Sequence, residues 1–391
     1  MWIRTAKKVN KRHLAGVVAG ILLVNTVDAS SNEAGQAPSS SWWSWNKEKP
    51  GETASQTDIN ERQARKDKYP QILRTPRSVV DHSLSGVSPL SPVRILRPNP
   101  HLEIAFDVRN RNPVYVLERM VVTEEKNNKT PKKRHNFYEE MSLPESFRAR
   151  NQHYHQSGYD RGHMAPAADF GYQDVDGDPV AADTYTLCNI APQQSDFNRG
   201  IWANLEAWTR RVARDASQRR DRTTYVVTGP LWLPRQQVAP QKFLYSYPAL
   251  GTPPSLVAVP THFFKVVVVV AADAPGGHHH IHSFACFVLA NDEQSNQRTL
   301  ADALVRWTDL EAVTGLELFP QWVSPDWKKA ADVMTTRQIL TNTKGQAQGA
   351  IATVPLLLTD GSKTTSKNDH KILRQYADLT HLCQGGKCQR S

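Results

Sequence analysis

An antiparallel sheet core flanked by helices, an α+β fold, is what this 391-residue sequence predicts. Two observations carry it. The β-branched and aromatic runs "TYVVTGPLWL", "SLVAVPTHFFKVVVVVAA" and "HIHSFACFVLAN" read as strands. Between them, "DFNRGIWANLEAWTRRVARDAS" has helical spacing, with Ile201, Leu205, Trp208 and Val212 on one face.

Taken in order, residues 1–27 read as a targeting presequence or possible membrane anchor, and 28–68 as a polar linker without period. The folded domain is expected over 69–335. Within it "HLEIAFDVRNRNPVYVLERMVV" predicts two strands joined by an Arg-Asn-Arg-Asn-Pro turn. "EEKNNKTPKKRHN" is a charged loop, and "TLADALVRWTDLEAVTGLELF" predicts one or two helices. Residues 336–391 read as a polar insertion and C-terminal tail, with 340–375 expected as an insertion or extended loop.

The formal net charge is +10, which suits a polyanionic partner. Half of the excess lies in the first 27 residues, where Arg4, Lys7, Lys8, Lys11 and Arg12 stand without an acid before "LAGVVAGILLV". That pattern fits a mitochondrial presequence or an inner-membrane anchor. It also fits a secretory signal, in which case "NKT" at Asn128 is a glycosylation acceptor. Of the four cysteines, Cys383 and Cys388 are spaced for a small disulfide loop, with zinc and His381 as the alternative. Cys188 and Cys286 lie in apolar contexts and read as buried thiols.

The chemistry concentrates in "SGYDRGHMAPAADF". His163 is an imidazole able to take a proton near neutral pH, and Arg161 grips phosphate in a fork. Gly162 allows close approach of the backbone to a ligand. Alone, Asp-Arg-Gly-His also fits a surface ion pair beside a structural histidine. Downstream, "TLCNIAPQQSDFNRGIWANLE" offers Asn189, Asn198 and Glu206. A hard Mg²⁺ takes oxygen ligands and keeps most of its waters, so one amide oxygen is a sufficient protein ligand. With Asn198 at a helix start, Glu206 lies about 12 Å along the axis, at about 1.5 Å per residue, and reaches the metal only through water. An N-cap role is the structural alternative for Asn198.

"SGYDRGHMAPAAD", "CNIAPQQSDFNRGIWANLE", "VVTGPLWLP" and "VAVPTHFFKVVV" together resemble the DNA/RNA non-specific endonucleases, over roughly residues 100–325. The mitochondrial branch of that family is the nearest. The resemblance implies a ββα-metal (His-Me finger) site. His163 then matches the general base, Arg161 the arginine at the scissile phosphate, and Asn198 the sole protein ligand of Mg²⁺, with Mn²⁺ as a substitute. Glu206 matches the acid holding the metal's waters, and Asn189 the residue orienting the histidine's surroundings. A serine usually precedes that asparagine; Cys188 stands there instead. An upstream arginine is also implied, with Lys133, Arg134 and Arg148 as candidates and Arg134 preferred. The implied reaction cuts DNA and RNA to 5′-phosphate and 3′-hydroxyl ends. A homodimer and a place in mitochondria, in the intermembrane space or at the inner membrane, are implied as well. A secreted nuclease and an inactive nucleic-acid-binding or membrane-tethered scaffold are the competing readings.

The stretch "TRRVARDASQRRDR", with six arginines against two aspartates, reads as a basic strip or as a solvated helix face. "DVDGD" lacks the glycine and glutamate of a calcium loop and reads as a turn. "GGHHHIH" reads as a hairpin turn entering a strand.

Overall fold

The computed structural model describes residues 93–122, 135–171, 180–219, 221–234, 236–271, 280–343 and 367–388. The targeting segment, the linker, Asn128, Lys133, Arg134 and "DVDGD" lie outside the described residues.

Strands β1 (Val93–Asn99), β2 (Leu102–Asp107) and β3 (Asn112–Arg119) form a meander. The Arg-Asn-Arg-Asn-Pro segment turns the chain between β2 and β3, as its composition predicts. A separate pair follows, β4 (Asp160–His163) and β5 (Ile190–Gln193), and then helix α1 (Ala203–Ser217). Strand β6 (Arg222–Leu231) returns to the sheet. The small hairpins β7 (Gln236–Ala239) with β8 (Lys242–Leu244), and β9 (Ala249–Thr252) with β10 (Ser255–Ala258), stand outside it. The long strands β11 (His262–Ala271) and β12 (His280–Ala290) follow, then α2 (Trp307–Thr314), α3 (Pro325–Thr343), α4 (Lys367–Gln375) and β13 (Thr380–His381). Pro260 lies between β10 and β11, so the second β-branched run folds as two strands rather than one.

The sheet runs β1-β2-β3-β6-β11-β12-β13, antiparallel except for the parallel β12–β13 pair at its edge. Alternation along β11 sorts its residues between two apolar layers. Phe263 and Val267 join Val226, Leu205 and Trp208, so α1 covers one face. Phe264, Val266, Val268 and Val270 join Trp307, Leu310 and Trp327, so α2 and α3 cover the other. This is the α+β architecture read from the sequence.

The C-terminal region differs from the expected extended segment at both ends. Helix α3 runs through Thr343, and Lys367–Gln375 is helical. Trp327, Ala330, Ala331 and Thr335 are buried along one stripe of α3. Small and polar members make that stripe faint in sequence, although its spacing is helical. Beyond α4, Ser283 and Phe284 pair with Thr380 and His381, and a Cys383–Cys388 disulfide closes the segment. Cys188 and Cys286 are buried free thiols, as expected.

Candidate active site

Strand β4 presents the Asp-Arg-Gly-His segment on a two-stranded ladder, with Asp160 opposite Gln193 and His163 opposite Ile190. Gly162 serves this ladder and not a ligand: a Cβ there would collide with the Gln193 side chain. Behind the ladder Asn189 is fully buried. Its Nδ2 donates to the carbonyls of Ala165 at 2.9 Å and Thr184 at 2.8 Å, and its Oδ1 accepts from the Ala165 N–H at 3.0 Å. The Met164 N–H donates to the Asn189 carbonyl at 2.9 Å. Both backbone units after His163 are therefore clamped by one side chain and its own carbonyl.

His163 packs among aromatic rings, edge-on to Tyr185 at 4.9 Å and 5.3 Å from Phe137 between centroids. Burial lowers its pKa to about 4, so the imidazole is neutral at physiological pH. Its Nε2 is sealed without a hydrogen-bond partner, and Nδ1 is the nitrogen left open. Arg161 points outward from the same strand. Its guanidinium lies 4.4 Å above the Phe137 ring and donates to Asn151 Oδ1 at 2.7 Å.

Asp160 pairs with Arg199, not with its neighbour Arg161. Arg199 Nε and Nη2 donate to its two oxygens at 3.2 and 3.1 Å. Ser195 Oγ adds a bond at 3.1 Å and Asn198 Nδ2 one at 3.0 Å. Burial raises the Asp160 pKa, but these hydrogen bonds outweigh it and hold the carboxyl below its usual range. The anchored carboxylate fixes the Asn198 amide. Its nitrogen faces Asp160, and its half-buried oxygen accepts no hydrogen bond among the described residues.

Asn198 is not a helix N-cap. Gln194 takes that role, its side chain accepting from the Phe197 N–H at 2.8 Å. Asn198 instead sits in a widened turn that kinks at Gly200, where φ is −102° and ψ is −112°. Asn296 fills the space a Cβ would need there and accepts the Ile201 N–H at 2.7 Å. Helix α1 starts only at Ala203, so the straight-helix separation of Asn198 from Glu206 does not apply. Glu206 is half-buried on the first turn of α1. Burial raises its pKa to about 7, with Lys265 opposing that shift and Asp169 adding to it.

The structure thus gathers His163, Asn198 and the Asn189 clamp around one β4–β5 unit, with Asp160 as the bridge. Arg148 is occupied elsewhere, donating to the carbonyls of Leu143 and Met141 at 2.6 and 3.1 Å. The sequence reading missed Phe137, Tyr185, Lys265 and the Asp169–Arg210 pair at 2.8 Å. Only Lys265 left a signal, as a lone charge within an apolar run. Among the described residues no cluster of three or more His, Cys, Asp or Glu side chains is placed to hold a metal. A free, oriented amide oxygen fits a hard cation that keeps most of its waters.

Residues 87–324 match the family model described as DNA/RNA non-specific endonuclease. The chain belongs to this family. It is 38% identical over 242 residues to a protein named mitochondrial nuclease from Saccharomyces cerevisiae, covering 61% of this chain and 69% of that one. It is 35% identical over 229 residues to nuclease 1, mitochondrial, of Schizosaccharomyces pombe, covering 58% and 66%. Against human endonuclease G, mitochondrial, it is 34% identical over 217 residues, covering 56% and 67%. A solved structure of the EndoG/EndoGI complex is similar at 30% identity with a TM-score of 0.48, covering 60% of this chain and 88% of that chain. The family match ends at Ser324, so α3, α4 and β13 lie beyond it.

Proposed function

We propose that the protein is a Mg²⁺-dependent, sugar-non-specific endonuclease that hydrolyses the phosphodiester bonds of DNA and RNA to 5′-phosphate and 3′-hydroxyl ends. The observation that carries this reading is the Asp160 bridge. One carboxylate three residues before His163 turns the Asn198 amide so that its oxygen is free.

His163 is the general base. Its neutral imidazole takes a proton from the attacking water at Nδ1, and the aromatic wall of Phe137 and Tyr185 fixes the ring plane. Asn198 Oδ1 would hold the metal ion. When bound, that Mg²⁺, or Mn²⁺ in its place, neutralises charge developing on the scissile phosphate and the leaving oxygen. Glu206 would accept hydrogen bonds from waters that the ion keeps. Arg161 meets the phosphate from the open side, where its charge is kept over Phe137. Asn189 acts through the backbone, keeping Met164 and Ala165 fixed behind the base. Base and metal ligand are different side chains, so the imidazole lone pair stays free for the proton.

Recognition through phosphate gives little sequence discrimination, which agrees with a basic chain. The relatives' names support a mitochondrial setting; association at the inner membrane through the N-terminal segment and action as a homodimer complete the proposal. Incubation of purified protein with plasmid DNA and with RNA, with Mg²⁺ or with chelator, tests the reading. Cleavage of both polymers is expected, lost in chelator and reduced by roughly 10⁴-fold in His163→Ala. Metal-independent cutting, or an unaffected variant, sinks it. A glycan on Asn128 in native material would place the enzyme in the secretory route instead.

A further inference from the structure

Under the catalytic layer lies a charged group that the reaction as described leaves unused. Lys265 and Glu118 are each only 1% exposed. Lys265 of β11 pairs with Thr228 of β6, which pairs with Val116, two residues from Glu118 on β3. Both side chains therefore lie on the sheet face that α1 covers.

The Lys265 ammonium donates to Thr228 Oγ1 at 2.6 Å and reaches the carbonyl of Met164 at 3.5 Å. It also stands 5.2 Å from the centroid of the Trp202 ring. Met164 directly follows the base. Trp202 leads into α1, four residues before Glu206. One buried cation thus contacts both halves of the site, the strand carrying the base and the helix leaving the metal turn. A buried ammonium is costly unless charges and acceptors surround it. The acids whose charge acts with it here are Glu206, Asp169 and Glu118, and the second cation is Arg210. Burial and the neighbouring Asp169 push Glu118 well above the usual carboxylate range, and burial also raises Asp169 and, to about 7, Glu206, with Lys265 opposing all three shifts.

We infer that Lys265 is a positioning residue, whose buried ammonium holds the Met164 carbonyl behind the base in register with α1 and balances the carboxylate of Glu206. It touches neither substrate nor metal. The inference rests on the roles given above to His163 and Glu206.

Lys265→Met removes the charge at similar volume. Its kcat on duplex DNA in Mg²⁺ is expected to fall about 10–100-fold, as for other residues that orient a site from behind. KM should stay unchanged, because substrate contacts are intact. In a Glu206→Gln background the same substitution should add little further loss, since the two act as one unit. Thr228→Val should lower kcat less, and Thr228→Ser should restore it. Wild-type kcat in Lys265→Met overturns the inference. So does an equal factor in both backgrounds, or a loss confined to KM. Should Lys265→Met fail to fold, the Thr228 pair decides: wild-type kcat in Thr228→Val overturns the inference, and a loss recovered by serine supports it. His163→Ala runs in parallel. Full activity there removes the catalytic reading itself, whereas a dead His163→Ala beside a fully active Lys265→Met removes only the role of Lys265.

Discussion

The two faces of the central sheet share their strands but not their chemistry. Towards α2 and α3, β11 and β12 present Val266, Val268, Phe264 and Phe284 to Trp307 and Trp327, an apolar layer closed by edge-on rings. Towards α1, β11 presents Phe263 and Val267, but Lys265 stands between them, with Glu118 on the same sheet face and Asp169 and Glu206 acting on it from the covering layer. One face is optimised for burial alone. The other gives up apolar contact to hold a group of charges beneath the candidate site, the kind of local cost that functional sites carry. The contrast predicts that stability and catalysis separate across the two faces of a single sheet.

That separation breaks or sharpens under four measurements, in falling order of effect. Asn198→Ala should lower nuclease activity by about 10³-fold or more. Its thermal midpoint should barely move, since it gives up a half-buried hydrogen bond to Asp160. A matching loss of stability would mean that the catalytic face also carries the fold. Phe284→Ala on the other face should cost about 3–5 kcal/mol in denaturant unfolding while kcat of the folded fraction is unchanged. A kcat loss there would show that the two faces are coupled.

The third measurement is pH. Burial lowers His153, His163 and His381 to about 4. The unfolded chain binds protons at these residues between about pH 6.5 and 4 and the folded protein does not, so their stabilisation is full above 6.5 and fades as pH falls through that window. Because the raised carboxyls of Glu118 and Glu206 act with the opposite sign over the same range, the check is the stability difference between wild type and His381→Gln in denaturant unfolding at pH 7 and pH 5; an equal difference at the two values contradicts it. The smallest effect belongs to Glu118→Gln. Because Glu118 is held protonated by burial, it opposes folding at pH 7, and the amide should leave stability unchanged or raise it by about 1 kcal/mol. A loss of several kcal/mol would instead show an ionised Glu118 paired with Lys265.

Particular residues show where sequence reading worked. The valine-rich β11 was legible as a continuous β-branched run buried on both faces, and the stripe Ile201, Leu205, Trp208 because burial of one helix face imposes a period of 3.6. The Asp-Arg-Gly-His and Asn-Arg-Gly segments were legible as candidate chemistry because they are short and contiguous. The partner of Asp160 was not: Arg199 is 39 residues away, nearer neighbours carry the same charge, and only the turn before α1 selects it. Phe137 and Tyr185 look like ordinary core rings until the fold closes them around His163. Gly162 looked like room for a ligand and is room for Gln193.

The sequence by itself determined the fold class, the strand runs and the candidate reacting groups, because β-branched runs, helical spacing and functional-group chemistry are local properties. Tertiary structure alone decided which way the Asn198 amide faces, how far burial moves His163 and Glu206, and that Lys265 stands between base and helix. Those outcomes depend on dielectric surroundings and on contacts between distant segments, and neither exists until the chain has folded.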